Sequence, residues 1–170
     1  KRIYLINRFH STNPMIWKSN KLLIGALKNK AAHKIIAVWA ADCAERVLPY
    51  FEEKYPKDNR PRKAIEACRE WADTGVFKMA VVRGLALASH AAAREVGEDN
   101  AARFAARAAG QALATAHVCG HASAAAEYAL KAAGTLKPKS GVNLVESERK
   151  WQITHLRKLL KKLNSQIKVT

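Results

Sequence analysis

Apolar residues along residues 31–54 recur at helical spacing. Ile35, Val38/Trp39, Cys43, Val47 and Tyr50/Phe51 fall at i, i+3/i+4 intervals with polar residues between them, which predicts a helix from about Ala31 to Lys54 buried along that stripe. Pro49 lies inside the pattern and should kink or interrupt it, because its ring removes an amide donor. Tyr55-Pro56-Lys57-Asp58-Asn59 reads as a loop. Asn59 or Arg60 ends it, and Pro61 sits where a missing N–H costs nothing. The next helix runs to about Thr74, with Ile65, Cys68/Arg69 and Trp71/Ala72 along one side and Gly75 as its stop.

Further helices are predicted over about Phe77–Val96, Ala101–Ala116 and Ala122–Ala133. Glu98-Asp99-Asn100 caps the second of these, and Gly134 ends the third. Glu127 and Lys131 should form an i,i+4 pair. Residues 135–143 hold Pro138, Ser140 and Gly141 and read as a linker. A last helix spans about Leu144 to Asn164. Its stripe is Leu144, Trp151, Leu156, Leu159, Leu160 and Leu163, and its opposite face is Arg157, Lys158, Lys161 and Lys162. Upstream, Ser19-Asn20 can cap a short helix over Lys21–Lys28, while residues 1–19 read as irregular and basic. No strand pattern competes and no fixed repeat period occurs. The chain is expected to be all-α, a single compact domain of about six or seven helices with its alanine-rich helices at the centre. Its core of about residues 20–134 is followed by the linker and the basic amphipathic last helix.

Composition sharpens this picture. Sixteen of the thirty-four residues from Ala101 to Gly134 are alanine. That run favours helix and lets backbones approach closely, so the few large apolar residues must anchor the packing. The net charge of +16 is unevenly placed: +8 in residues 1–34, +1 in 35–134 and +7 in 135–170. Basic ends attract polyanions, and a nucleic-acid partner held through the termini is one reading. Cys43, Cys68 and Cys119 are odd in number and widely spaced, which fits buried free thiols in a reducing cytoplasm better than disulfides. The opening residues are too charged for a signal-peptide apolar region, and no eighteen-residue apolar run free of charge occurs. A cytoplasmic protein without a transmembrane segment is therefore expected.

Candidate chemistry is sparse. His117-Val118-Cys119-Gly120-His121 is the sharpest local feature. Two histidines at i,i+4 can grip a metal on a continuous helix, with His90, Asp42 or Cys119 as further ligands, but Gly120 should break the helix between them. They then serve the turn by satisfying backbone groups. Asp42 adjoins the apolar stripe, so it needs a cationic partner, Arg69, Arg94, Arg103 or Arg107, unless it acts as a general base with a histidine. Arg103 and Arg107 are like charges one turn apart and require an acid, with Glu95, Asp42 or Glu127 available; with Arg94 they could instead hold an anion. Glycine-rich nucleotide loops, a nucleophile elbow and a C-x-x-C pair are all absent from the sequence. No catalytic residue and no cofactor are expected. The candidate ligand or partner residues are Asp42, His90, Arg94, Arg103, Arg107, His117 and His121.

An ordered set of blocks carries a resemblance. It comprises Trp39-Ala40-Ala41-Asp42-Cys43-Ala44-Glu45-Arg46-Val47-Leu48, then Asn59-Arg60-Pro61-Arg62-Lys63-Ala64-Ile65-Glu66-Ala67 with Arg69 and Trp71. Ser89-His90-Ala91-Ala92-Ala93-Arg94 follows, and last come Ala108-Ala109-Gly110-Gln111-Ala112, Ala114-Thr115-Ala116-His117-Val118, His121, Tyr128-Ala129 and Lys131-Ala132. In this order they are similar to the bacterial and archaeal "putative immunity protein" domain, over about residues 35–134. The resemblance implies an all-helical, non-enzymatic protein that binds and neutralises a toxin protein. Two other readings stay open: nucleic-acid association through the basic ends, and a metal or small ligand near His90, His117 and His121. Small residues on exposed helix faces also leave a homo-oligomer open.

Overall fold

The computed structural model describes residues 30–137 and 143–167, apart from the side chains of residues 164, 166 and 167. Among them are seven helices and no strand: α1 (Lys30–Val47), α2 (Pro49–Glu52), α3 (Arg60–Thr74), α4 (Met79–Glu95), α5 (Ala101–Ala114), α6 (His121–Gly134) and α7 (Leu144–Ile167). The fold is compact and all-α, as the patterning predicts. The expected helix at 21–28 and the irregular segment at 1–19 lie outside the described residues.

Local chemistry accounts for most boundaries. Pro49 ends α1 and becomes the first residue of α2, so the expected long helix is split in two. Its stripe is rotated from the predicted one: Ile36, Trp39, Cys43, Val47 and Phe51 are buried, while Ile35 and Val38 are only half-buried. Gly75 stops α3 at φ 74°, a left-handed conformation that suits glycine, and its N–H donates to Trp71 O at 2.8 Å. The Asn100 side chain caps α5 by accepting from the Arg103 N–H at 3.0 Å. α5 ends at Ala114 rather than Ala116, and α7 runs on to Ile167.

Alanine decides the packing. α5 is the central helix and touches α1, α2, α3, α4 and α6. Ala105, Ala106, Ala108, Ala109 and Ala112 are wholly buried on it, because methyl side chains let five neighbours approach one helix. The volume they leave is filled by few large residues, chiefly Phe51, Ile36, Leu48, Ile65 and Leu113. Burying one such side chain contributes about 1.5–3 kcal/mol.

Helix α7 is part of this core. It packs on α1 and α6, and Leu156 is buried. Two polar residues of α7 are buried with it, Glu148 and Gln152. The Gln152 amide donates to Ala126 O at 3.1 Å and to Glu148 Oε1 at 3.1 Å. Its backbone carbonyl accepts from Trp39 Nε1 at 2.9 Å. Arg46 Nε donates to Glu148 Oε2 at 2.9 Å while its guanidinium lies 4.0 Å from the Trp151 ring centroid. Both buried side chains are therefore paired. On the far side, Arg157, Lys158, Lys161 and Lys162 are exposed, as the pattern predicts. No helix among the described residues is long and apolar enough to cross a membrane.

Candidate functional site

Asp42 sits on α1 with both oxygens taken. Oδ1 accepts from Arg69 Nη1 at 2.7 Å and Oδ2 accepts from His155 Nε2 at 2.6 Å. The His155 ring stacks on Trp151 at 4.7 Å between centroids. Arg69 continues to Glu45 at 3.6 Å, and Arg62 joins Glu45 to Glu52. The result is a seam of alternating charges tying α7, α1, α3 and α2 together. Of the four arginines expected to answer Asp42, Arg69 does so; Arg94, Arg103 and Arg107 do not. The neighbouring Cys43 is buried, and burial together with Glu148 and Asp42 pushes its thiol well up. Burial alone raises Cys119 to about 11; burial, opposed by Arg69 and aided by Asp42, raises Cys68 to about 12. All three thiols are free and buried, and none is held as a reactive thiolate at neutral pH.

The remaining candidates lie along α4, α5 and α6, and they separate. Arg103 pairs with Asp99 at 3.3 Å, one turn back on the α5 cap, and not with Glu95, Asp42 or Glu127. Glu95 is held by Arg60, which also binds Asp58, so these pairs join the end of α4 to the start of α3. Among the described residues Glu127 and Lys131 form no ion pair; Lys131 Nζ instead lies 5.3 Å from the Tyr128 ring centroid, itself stacked against Phe104.

The two turn histidines do come together. Their rings stack with centroids 5.6 Å apart although residues 115–120 form a turn between them. His117 Nδ1 meets Ala114 O at 3.2 Å, a turn-satisfying contact. His121 Nδ1 meets the side chain of Gln111 at 2.7 Å rather than the backbone. Gly120 turns the chain at φ −62°, an ordinary helical value. A metal at this place needs a third converging ligand. Among the described residues no group of three His, Cys, Asp or Glu side chains is arranged to hold one, which removes the geometric basis of the metal reading.

His90 lies on α4, close enough to His121 to feel its charge. Its ring rests on the backbone of Gly110, so near that a Cβ there would stand 2.7 Å from Cε1. Nδ1 is buried and has no hydrogen-bond partner. Burial, Arg107, Arg94 and His121 together lower its pKa to about 4. Burial and His117 also lower His121. Arg94 and Arg107 have no ion pair among the described residues.

Sequence reasoning missed a group of exposed apolar side chains. Val76, Phe77, Met79, Val81 and Leu87 are all at least two-fifths exposed, in the α3–α4 loop and on the outer face of α4. That helix packs mainly on α3 and α5 through Val82, Ala86, Ser89 and Ala93. Ala80, Gly84 and Leu87 face away from the core, and the space over Gly84 is open. Lys78 lies beside these residues and Arg83 between Met79 and Leu87, one turn from each, and neither enters an ion pair among the described residues. A signal was present: the outer positions of this helix are nearly as apolar as the buried ones, which a solvated helix does not require.

The sequence signature of the Imm-5 like putative immunity proteins matches residues 26–159. The chain belongs to that family. No curated protein and no solved structure matches it. The family match is wider than the resemblance over 35–134 implied, because it takes in the linker and α7 as far as Leu159. This agrees with the packing of α7 through Trp151, Gln152 and Leu156. The family's shared unit therefore includes much of the basic C-terminal helix.

Proposed function

We propose that this chain is a non-enzymatic binding protein of the immunity type, which neutralises a toxin protein by covering it with the outer face of α4 and the α3–α4 loop. The observation that carries this reading is the exposed strip Val76, Phe77, Met79, Val81 and Leu87. Large apolar side chains exposed together over one short stretch of a compact domain suit an interaction surface, and interface centres favour aromatic residues and methionine. The rim sets the chemistry of the partner. Lys78 lies beside the strip and Arg83 between Met79 and Leu87, and the carboxylate of α4, Glu95, is already held by Arg60. The complementary surface is an apolar patch ringed by carboxylates. A net charge of +16 speeds encounter with such a partner. The test is co-expression with the product of the neighbouring gene. The chain should abolish that product's toxicity and co-purify with it in fixed stoichiometry. A toxic neighbour left fully active by the chain would count against the proposal.

A second reading has one observation behind it. Arg157, Lys158, Lys161 and Lys162 form an exposed basic face on α7, none in an ion pair among the described residues. This supports contact with nucleic-acid phosphates. Replacing Lys158, Lys161 and Lys162 with Gln should then lower duplex affinity and flatten its salt dependence, by about one unit of slope for each phosphate no longer neutralised. Absence of binding at low salt would dispose of it.

A further inference from the structure

The ring of His90 is fixed by its contact with Gly110, which leaves its two nitrogens in different surroundings. Nδ1 is buried without a partner. A buried N–H lacking an acceptor is costly, whereas a bare lone pair is less so. The neutral ring therefore carries its proton on Nε2. That nitrogen makes no hydrogen bond among the described residues and is not one of the buried, unpartnered atoms. His90 thus presents one N–H donor at the edge of the α4–α5 seam.

Helix register puts two arginines near His90. Arg94 is one turn beyond His90 on α4. Arg107 is three residues before Gly110 on α5, so it shares the side of α5 that meets His90. His121 of α6 also acts on His90, and it is anchored through Gln111, the residue after Gly110. The charged and titratable groups acting on His90 are Arg107, Arg94 and His121, with no carboxylate among them. The nearby acids are occupied: Glu95 by Arg60 and Asp99 by Arg103. Two arginines without an ion pair among the described residues and an N–H donor therefore lie along the same stretch of the α4–α5 seam, with no carboxylate acting on His90 to offset them.

We propose that His90, Arg94 and Arg107 form a binding site for a phosphate-class dianion in the seam between α4 and α5. Two guanidinium forks supply planar, paired donors suited to phosphate oxygens, and His90 Nε2–H supplies another. The charge of a dianion matches that of the two arginines, whereas a monocarboxylate neutralises only one. Gly110 is part of the site because any side chain there pushes the His90 ring out of place. The site stands apart from toxin binding, since it rests on α4 and α5 groups that need no protein partner.

The test uses the full chain and inorganic phosphate, added at constant ionic strength against potassium chloride. Histidine ring signals are followed by NMR. At about pH 7.5, where inorganic phosphate is mostly the dianion, the His90 signals should shift saturably. Arg107→Gln and Arg94→Gln, which break no ion pair, should each weaken the response at least tenfold while leaving the unfolding midpoint in place. No saturable shift, or equal affinity in the Arg94→Gln/Arg107→Gln double variant, overturns the site. An equal response to acetate overturns its assignment to a phosphate-class ligand.

Discussion

Gly110→Ala tests the packing of His90 through a reversal of sign. In an ordinary helix interior this change stabilises by about 1 kcal/mol, because alanine restricts the unfolded chain and favours helix. Here the new Cβ would stand 2.7 Å from His90 Cε1, 2.9 Å from Nδ1 and 3.0 Å from Nε2, where ordinary contact begins at 3.4 Å. The ring must retreat by several tenths of an ångström. It is wedged against α5, so retreat means an off-rotamer side chain or separated helices, at about 1–3 kcal/mol. The net effect on the native sequence is a loss of about 1 kcal/mol, or a fall of about 2–4 °C in melting temperature for a chain of this size. With His90→Ala already in place the obstacle is gone, and the same glycine change should stabilise by about 1 kcal/mol. Urea denaturation of the four proteins should give a coupling of about 2 kcal/mol. If Gly110→Ala shifts stability equally in both backgrounds, the ring does not rest on Gly110 and the phosphate site loses its geometry.

The same histidine should also make stability depend on pH. His90 is held near 4 against 6.5 for a free histidine, so the unfolded chain takes up a proton before the folded one. Stability contributed by the neutral ring is complete above pH 6.5 and is lost as pH falls towards 4, by roughly 2 kcal/mol after allowance for its partial exposure. Denaturant unfolding at pH 7 and pH 4 should show a smaller pH loss in His90→Gln, and an unchanged loss would contradict the assignment. Ending the chain at Asn143 should destabilise by several kcal/mol or prevent folding, since it strips Leu156 from the core and removes Gln152 and Glu148 from their partners; an unaltered melting temperature would make α7 a mere appendage.

Much of the architecture was legible because punctuation and composition act locally. Pro49, Pro61, Gly75 and Asn100 mark helix ends through chemistry that needs no tertiary contact, and the alanine run announces a central helix because nothing larger fits between close backbones. The polar part of the core was not legible. Glu148 and Gln152 occupy the stripe positions between Leu144 and Leu156, but the pattern registers only apolar residues. Their burial depends on Arg46, Trp39 and Ala126, which are distant in sequence. His155 escaped notice as the partner of Asp42 for the same reason. The contact of His90 with Gly110 joins two helices and cannot be inferred from either alone, although an isolated glycine inside an alanine helix was a hint of close approach. His117 and His121 drew attention by their spacing. The structure brings them together as a stacked pair at a turn, and the less conspicuous His90 holds the more unusual environment.

The role of the exposed α4 strip is decided by binding of the neighbouring gene's toxin, measured by isothermal titration calorimetry with the full chain and with Phe77→Asp and Leu87→Asp. Both side chains are about half exposed and leave the core untouched, so the variants should melt within about 1 °C of the parent. One-to-one binding is expected for the parent chain, weakened at least a hundredfold in each variant. Tight binding that survives both substitutions in folded protein would show that the toxin is held by some other surface.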